Sequence, residues 1–580
     1  MTNIIFNGFI HPIIGICSGL FLILGTENLG RLILNKIKHR FFFLNLSIGL
    51  IAVSSIAFIF ILIQLPKYIN FFLSYMLVVF GVYNFFFYLK KCSNIINSKK
   101  KNIFFYIIFL YLILLFFISI SAPTMSDALD YHLGAANYIY YNNKLPNQYY
   151  NNHASLIGFG EIYNYLGLIV YSDIVGSLLQ FIASISFLNY FNRVIRDRER
   201  YITFILFITG SPIFVYFITG AKYNLFPQLI TTYVLFLLVQ YKRIDFKISL
   251  LIVFLLLGAA NFKMNFYITG TLLGLFLLLK CKIDTKLIFY FISFLILLFL
   301  PKAIYNYYIV PKFSYFNFFT SANELFLNYL QNYTDNDLIF PISLFFTDSF
   351  GKISTILGFS FLILIFIKKT NNKNNQIFLI TFIGFILYFY YSQKTSRIYF
   401  ELLLWLSLNI IFFKHYKIKI RYIKIFLLLN FIIAFIIALF GFYQLSSSIV
   451  SNEYRRDVMR TAAFEFKGIE WLSQKISTET TILSNLRSNA LLNNKNIILS
   501  DANITDINYR NLIMNSKIDY IVIKNFDNSM KYFFNNCKLT IIAQSPNFLV
   551  ENRNFLNRNT FYSVSIFKLA KKSFKNCIKD

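Results

Sequence analysis

The chain has 580 residues, of which 57% are hydrophobic and 20% are aromatic, and its mean hydropathy is +0.59. Soluble domains are usually about 45–50% apolar, so this composition excludes an ordinary soluble fold. The formal net charge is +30, but the basic residues lie in short loops between apolar runs, which argues against a nucleic-acid-binding protein. We therefore predict a polytopic α-helical membrane protein.

Apolar runs recur along the chain as far as residue 442. Most are long enough to cross a bilayer as a helix, and we read the first of them as a retained span. The predicted spans, about fourteen in number, are Ile4–Leu24, Phe41–Leu65, Phe71–Leu89, Ile103–Ile120, Ile174–Phe191, Ile202–Thr219, Phe226–Tyr241, Ile248–Ala260, Phe266–Leu279, Leu287–Leu300, Ile353–Ile367, Ile377–Tyr390, Ile398–Phe413 and Ile423–Phe442.

The loops between these runs set the predicted orientation. Lys and Arg concentrate in loops such as LKKCSNIINSKKK, RVIRDRER and KHYKIKIRYIK, and short basic loops face the cytoplasm. The apolar segment Ala154–Tyr171 would reverse every later basic loop if it crossed the membrane. We therefore predict an amphipathic interfacial or re-entrant helix there, with both termini on the exterior side.

The first exterior loop carries SAPTMSDALDYHLGAANYIYY, in which two carboxylates and a histidine stand at the mouth of an apolar stretch. Asp127 and Asp130 are three residues apart and share a face if this segment is helical. A carboxylate there can act as a general base, hold a cation or bind a sugar, or it can be a solvated helix N-terminus. His132 and Glu161 are candidate substrate-binding residues nearby.

The C-terminal part has a different pattern. AAFEFKGIEWLSQKI has helical spacing, and the short runs TTILSN, NIILSD, DYIVIKN, LTIIAQS and YSVSIFKL are typical of strands. We predict a small exterior α/β domain over 446–580, which is long enough to hold its own core. The rest divides into extra N-terminal transmembrane helices (1–101) and a transmembrane module (102–445) with its first exterior loop at 121–172.

In this part of the chain a span is followed by a short exterior loop with an acid, then by YHL and a tyrosine-rich helix. This order resembles the GT-C superfamily of integral-membrane glycosyltransferases, such as protein O-mannosyltransferases and the bacterial lipid A aminoarabinose transferase. Matching on YHL places Asp127 on the family's first acid and Ala128 where a Glu is common, so Asp130 is the candidate for the missing carboxylate and the division of roles between the two acids stays open. TGSPIFVYFITGAKYN, GAANFKMNF, PKAIYNYYIVPKF and SRIYFELLLWL resemble later family segments in the same order, although Tyr305 replaces a usual Arg. The resemblance covers 103–445.

The resemblance implies an inverting sugar transfer on the exterior (periplasmic) face of the bacterial cytoplasmic (inner) membrane. The donor would be a sugar on a polyprenyl phosphate, and the acceptor a glycan, a lipid or a protein. Asp127 is then expected to be the general base, with Asp130 beside it. Lys263 and Arg397 are expected to hold the departing phosphate, with Lys222 as an alternate; each lysine can instead be a snorkelling anchor.

Further residues complete the expected site. Tyr399 is a candidate substrate contact beside Arg397, and Glu401 is expected to pair with that arginine one turn into the span. Lys302 and Lys394 are further alternates for the phosphate. No cofactor is certain from the pattern; some members of the superfamily use a divalent cation, Mg or Mn, and the sequence leaves this open.

Three other functions stay open at this point. A transporter or flippase of lipid-linked saccharides would have interrupted helices or repeated halves around midplane charges, and neither is clear in the sequence. A polymerase or ligase of surface polysaccharide shares the substrates and the sidedness. A non-enzymatic assembly protein would use the exterior domain as its binding module.

Overall fold

The computed structural model describes residues 11–35, 41–92, 103–151, 153–282, 284–308, 333–359, 372–412, 419–499, 507–525, 539–550 and 561–569. Helices dominate these residues, and a small sheet lies in the C-terminal region. The predicted class, a helical membrane protein with a C-terminal α/β region, is therefore confirmed in outline.

Three helices form the N-terminal part: α1 (Pro12–Ile33), α2 (Phe42–Leu62) and α3 (Lys67–Cys92). Helix α1 packs against both others through glycines. A Cβ atom on Gly25 would lie 1.8 Å from the carbonyl oxygen of Leu77. The backbones of α1 and α3 can therefore pack together at this point only because Gly25 has no side chain.

The remaining helical part begins with α4 and ends with α18. A π-helical turn at Ala128–His132 precedes α5, and a second at Leu295–Phe299 joins α13 to α14. The helices are α4 (Ile103–Ser119), α5 (Leu133–Asn142), α6 (Phe159–Ile169), α7 (Val175–Val194), α8 (Arg198–Thr209), α9 (Pro212–Ile218), α10 (Leu225–Gln240), α11 (Phe246–Phe262), α12 (Asn265–Leu278), α13 (Thr285–Phe294), α14 (Leu300–Tyr308), α15 (Asn372–Tyr391), α16 (Ser396–Ser407), α17 (Asn409–Phe412) and α18 (Lys419–Leu445).

The segment Ala154–Tyr171 does not form a long span. It folds as a 3-10 turn at Ala154–Leu156 followed by α6, a helix of 11 residues. Such a helix is about 17 Å long, whereas a bilayer core is about 30 Å thick. Every residue of α6 is buried. Of the two predicted alternatives, an interfacial helix and a re-entrant helix, this burial favours the re-entrant helix.

The predicted number of spans is not confirmed. Among the described residues, five helices are long and apolar enough to cross a membrane: Pro12–Ile33, Phe42–Leu62, Lys67–Lys90, Thr285–Tyr308 and Ile425–Ile449. A sixth would join α8 to α9, which are bent by 68° where Pro212 starts a new helix. Four other apolar helices are only 10–17 residues long. The predicted spans Ile4–Leu24, Ile353–Ile367 and Ile398–Phe413 lie partly outside the described residues.

The C-terminal region contains α19 (Asn452–Ala462), α20 (Phe466–Lys475) and α21 (Ile507–Asn515). Its strands are β1 (Thr481–Ser484), β2 (Lys495–Ile498), β3 (Tyr520–Lys524), β4 (Leu539–Gln544), β5 (Phe548–Leu549), β6 (Phe561–Tyr562) and β7 (Val564–Leu569). Five of them form a sheet in the order β2-β1-β3-β7-β4, in which β1 is parallel to both neighbours and β7 is antiparallel to both of its own. Each predicted strand pattern coincides with a strand.

Contacts with the segment between α4 and α6 hold this sheet region against the helical part. The Ile498 amide donates a hydrogen bond to the Tyr149 carbonyl oxygen at 2.9 Å. The side chain of Asn137 on α5 donates to the Ala490 carbonyl oxygen at 3.4 Å. The loop after β1 is thereby held against the turn that carries the two predicted acids.

Candidate functional site

The two acidic residues of the first loop lie where the chain leaves α4 and enters the π-helical turn Ala128–His132. Asp127 caps this turn and Asp130 lies within it. Single π-helical turns are frequent at functional sites. The Asp127 side chain is 24% exposed and that of Asp130 is 7% exposed, so Asp127 is the more accessible of the two.

Two cations from distant parts of the chain meet on Asp127. Lys222, in the turn between α9 and α10, donates to Asp127 Oδ2 at 2.5 Å, and Arg397, in the first turn of α16, donates to the same oxygen at 3.2 Å. The other arm of Arg397 donates to Asp335 Oδ1 at 3.2 Å. Burial alone would raise the pKa of Asp127, but Lys222 and Arg397 hold it well below its usual range, so this carboxylate stays ionised.

Asp130 has a different electrostatic environment. Arg487, from the loop after β1, donates through Nε to Asp130 Oδ2 at 3.1 Å, and its NH2 lies 3.9 Å from Asp127 Oδ1. His153 Nε2 lies 4.0 Å from the same Asp130 oxygen. Burial raises the pKa of Asp130 and Arg487 offsets only part of that rise, so the pKa is raised to about 7. A carboxylate with a pKa in this range is suited to accept a proton near neutral pH.

His132 and Glu161, both predicted to bind substrate, bind each other. Nδ1 of His132 is hydrogen-bonded to Glu161 Oε1, and the Gly158 amide donates to Glu161 Oε2 at 2.6 Å. Glu161 thus fixes the start of α6 and the orientation of the imidazole. Burial lowers the pKa of His132, although Glu161 opposes this. His132 Nε2 is buried and has no hydrogen-bond partner among the described residues, so it is the ring atom left for a ligand.

Lys263 lies at the C-terminal end of α11, close to the same charges. Its ammonium group donates to the side-chain oxygen of Asn224. Burial lowers the pKa of Lys263 well below its usual value, and the positive charges of Lys222 and Arg397 lower it further. An anion entering this region would remove part of that mutual repulsion.

Tyr399 and Glu401, two predicted residues of α16, lie in different surroundings. Tyr399 is 2% exposed and its ring lies 5.3 Å from that of Phe340 and 5.2 Å from that of Phe385, so it belongs to an aromatic cluster. The expected pairing of Glu401 with Arg397 is wrong. Glu401 lies deeper in the helical part, where it accepts hydrogen bonds from Thr231, at 2.5 Å, and from the Tyr388 hydroxyl, whereas Arg397 reaches out to the carboxylates at the mouth.

The alternate lysines also lie apart from Asp127. Lys302 donates to the Ser155 carbonyl oxygen at 3.1 Å, which helps to hold the chain ahead of α6. Lys394 lies over the ring of Phe389, 4.9 Å from its centroid. Within the part of the chain that the structure describes, neither lysine forms an ion pair with Asp127 or Asp130.

The family model of the DUF1420 N-terminal domain matches residues 13–459. The chain belongs to this family. No curated protein matches it. Among solved structures it is similar to ArnT from Cupriavidus metallidurans bound to undecaprenyl phosphate, with 9% identity and a TM-score of 0.49 over 79% of this chain and 97% of that one. It is also similar to the arabinofuranosyltransferase AftD from Mycobacteria, with 13% identity and a TM-score of 0.42 over 82% of this chain and 40% of that one. At these identities and TM-scores, neither likeness transfers an activity.

Two residues of the site in this DUF1420 chain have no signal in the sequence. Asp335 follows a stretch without a recognisable motif, and Arg487 lies after a strand, 357 positions from Asp130. The structure shows how Arg487 is positioned. Glu465, at φ 63°, accepts hydrogen bonds from the backbone amides of Arg487, at 2.8 Å, and Ser488, at 3.0 Å.

The described residues do not fit a resident divalent cation at this site. No three or more His, Cys, Asp or Glu side chains among them are arranged to hold a metal ion. The carboxylate of Asp127 already faces Lys222, Arg397 and Arg487, and a metal bound there would meet three positive charges.

Proposed function

We propose that this chain is a GT-C-type glycosyltransferase that moves a sugar from a polyprenyl-phosphate lipid to an acceptor at the outer face of the membrane. The observation that carries the proposal is the convergence of Lys222, Arg397 and Arg487 within 4 Å of the Asp127 carboxylate. Lys222 and Arg397 are largely buried, and buried charged groups in a helical membrane protein are costly and often mark functional sites. Their electrostatic coupling in a partly open site supports the same conclusion.

The cations are suited to the phosphate of a lipid donor. Lys and Arg form strong, charge-assisted hydrogen bonds with phosphate oxygens. Before the donor enters, Asp127 neutralises Lys222 and Arg397 and holds them in place. When it enters, its phosphate takes over part of these contacts. The cations then stabilise the negative charge that grows on the phosphate as the sugar leaves, and one such donor is typically worth about 100- to 1,000-fold in rate.

We assign the proton transfer to Asp130 rather than to Asp127, which the sequence had favoured. A carboxylate with a pKa well below its usual range is a weak base, whereas a pKa of about 7 matches the working pH of most enzymes. Asp130 accepts the proton of the acceptor nucleophile. That nucleophile forms a bond to the anomeric carbon, and the bond from this carbon to the phosphate oxygen breaks with its electron pair on the phosphate. A single displacement of this kind inverts the anomeric configuration.

Carboxamide variants test the proposal in membranes supplied with polyprenyl-phosphate-linked sugar. Asp130→Asn should lower transfer by about 100-fold or more because the proton acceptor is lost, and Asp127→Asn should also abolish transfer because the cations lose their anchor. Asp337→Asn is the matched control, since that side chain is 91% exposed in the loop that carries Asp335. No transfer by the wild-type protein would reject the proposal, and transfer at the level of the control in both site variants would reject Asp127 and Asp130 as its site.

A further inference from the structure

A separate cavity of about 450 Å³ opens where the end of α2, helix α5 and the sheet region meet. Helix α5 begins directly after His132 and has ten residues, so the cavity at its far end lies about 15 Å from the acids of the first loop. This volume lies within the usual range of small-molecule sites, about 300–1,000 Å³. Most of its polar lining comes from α5, the loop after it and β2: Tyr138, Asn142, Lys144, Asn147, Tyr150 and Lys495.

Hydrogen bonds between the three units fix the shape of this cavity. Asn143 ends α5 in a left-handed conformation, at φ 50°, and its side chain donates to the Leu65 carbonyl oxygen at 2.8 Å. On the opposite wall, Ile498 of β2 is bonded to Tyr149 of the loop. The walls are therefore held together without a ligand, as in most binding sites for small molecules.

The chemistry of the lining selects a class of ligand. The Tyr138 and Tyr150 rings lie 5.3 Å apart and are inclined by 33°, and tyrosines combine an apolar face with a hydroxyl group. The side-chain amides offer both donors and acceptors to sugar hydroxyls. Lys144 and Lys495 add two ammonium groups from different units of the fold, and no acidic residue is among the described residues that line the cavity.

We propose that this cavity binds an acidic saccharide, one that carries carboxylate or phosphate groups, as the distal part of the acceptor. The inference rests on the proposed function, because α5 connects the cavity to the site of transfer. Each lysine alone would be an ordinary solvated surface charge. Two of them beside paired tyrosines and amides in one preformed hollow constitute a site for an anionic sugar.

The test is direct binding to the full-length protein in lipid nanodiscs, measured by isothermal titration calorimetry. The probes are trigalacturonate for carboxylates, glucose 6-phosphate for phosphate and maltotriose as the neutral sugar. We expect at least one acidic probe to bind about tenfold or more tightly than maltotriose, with the difference decreasing as salt increases. The double variant Lys144→Gln/Lys495→Gln should abolish that difference, while Lys475→Gln, an exposed lysine of α20, should leave it unchanged.

Failure of this inference and failure of the proposed function are distinguishable. Equal binding of acidic and neutral probes, no binding of either, or acidic binding that survives in the double variant would overturn the inference. Selective binding that persists in Asp130→Asn supports it, because that variant alters only the site of transfer. If selective binding is found while the wild-type protein transfers no sugar, the cavity assignment holds and the glycosyltransferase proposal fails.

Discussion

Replacing Arg487 with glutamine should shift the pH dependence of sugar transfer. Asp130 must be ionised to accept a proton, and with its pKa raised to about 7 it is protonated in an increasing fraction of molecules as the pH falls below neutral. The kcat/KM of the wild-type protein should therefore level off above about pH 7 and fall roughly tenfold per pH unit below it. Arg487 stabilises the ionised form, so its removal should move the midpoint to higher pH.

The structure sets the size of this shift. The Arg487 side chain is 51% exposed, and exposed ion pairs contribute up to about 1 kcal/mol. One pKa unit corresponds to about 1.36 kcal/mol, so the midpoint should rise by up to roughly 0.7 unit. Below the midpoint this amounts to a loss of up to about fivefold in kcat/KM at a given pH, in addition to any pH-independent loss from the weaker hold on phosphate.

The assay is kcat/KM for transfer from a lipid-linked donor between pH 5 and 9, in wild type and two variants. Arg456→Gln is the matched control, because that side chain is 50% exposed and pairs with Glu470, a carboxylate of the same region. It should leave the midpoint in place. A wild-type profile that is flat from pH 5 to 8 would refute the assignment of Asp130 and indicate a base of much lower pKa, such as Asp127.

Three further predictions concern stability and topology. Glu161→Gln should destabilise the fold by about 1–3 kcal/mol, because it weakens the buried hydrogen bonds that the carboxylate makes with His132 and the Gly158 amide; thermal unfolding in detergent measures this, and an unchanged midpoint would contradict it. Gly25→Ala should cost about 1–3 kcal/mol through the clash with the backbone of α3, whereas Gly274→Ala, with nothing within 4 Å of its new Cβ, should be neutral or stabilising. Reporter fusions after Asn143 and after Asp197 should give exterior and cytoplasmic signals; an exterior signal at Asp197 would mean that Ala154–Tyr171 spans the membrane.

The sequence predicted which residues lie at the site better than it predicted which residues they contact. The sequence could place three of these residues, Asp127, Lys222 and Arg397, on one side of the membrane. Each of them lies next to an apolar run, and the basic loops set the orientation of these runs. Arg487 could not be found in this way, because a basic residue after a short strand does not reveal which loop of the helical part it will contact. Glu401 was misassigned since helical spacing alone does not reveal the hydroxyls of Thr231 and Tyr388 that meet it.

The predicted span count is not confirmed, for a related physical reason. Hydropathy shows that a helix is apolar, but it does not show whether lipid or other helices of the protein surround it. A helix such as α10 (Leu225–Gln240), nearly all of whose residues are buried, therefore has the same hydropathy signal as a span that faces lipid. The break between α8 and α9 was present in the sequence as Gly210, Ser211 and Pro212, although the angle of the bend depends on the surrounding packing.

The most direct test of the central claim is the affinity of the purified protein for undecaprenyl phosphate, compared with undecaprenol, which lacks the phosphate. We predict that the phosphate form binds at least tenfold more tightly. Lys222→Met and Arg397→Gln should each remove most of this preference, while Lys394→Gln should retain it. Equal affinity for the two lipids, or a preference that both site variants keep, would contradict the assignment of this cluster to a lipid phosphate.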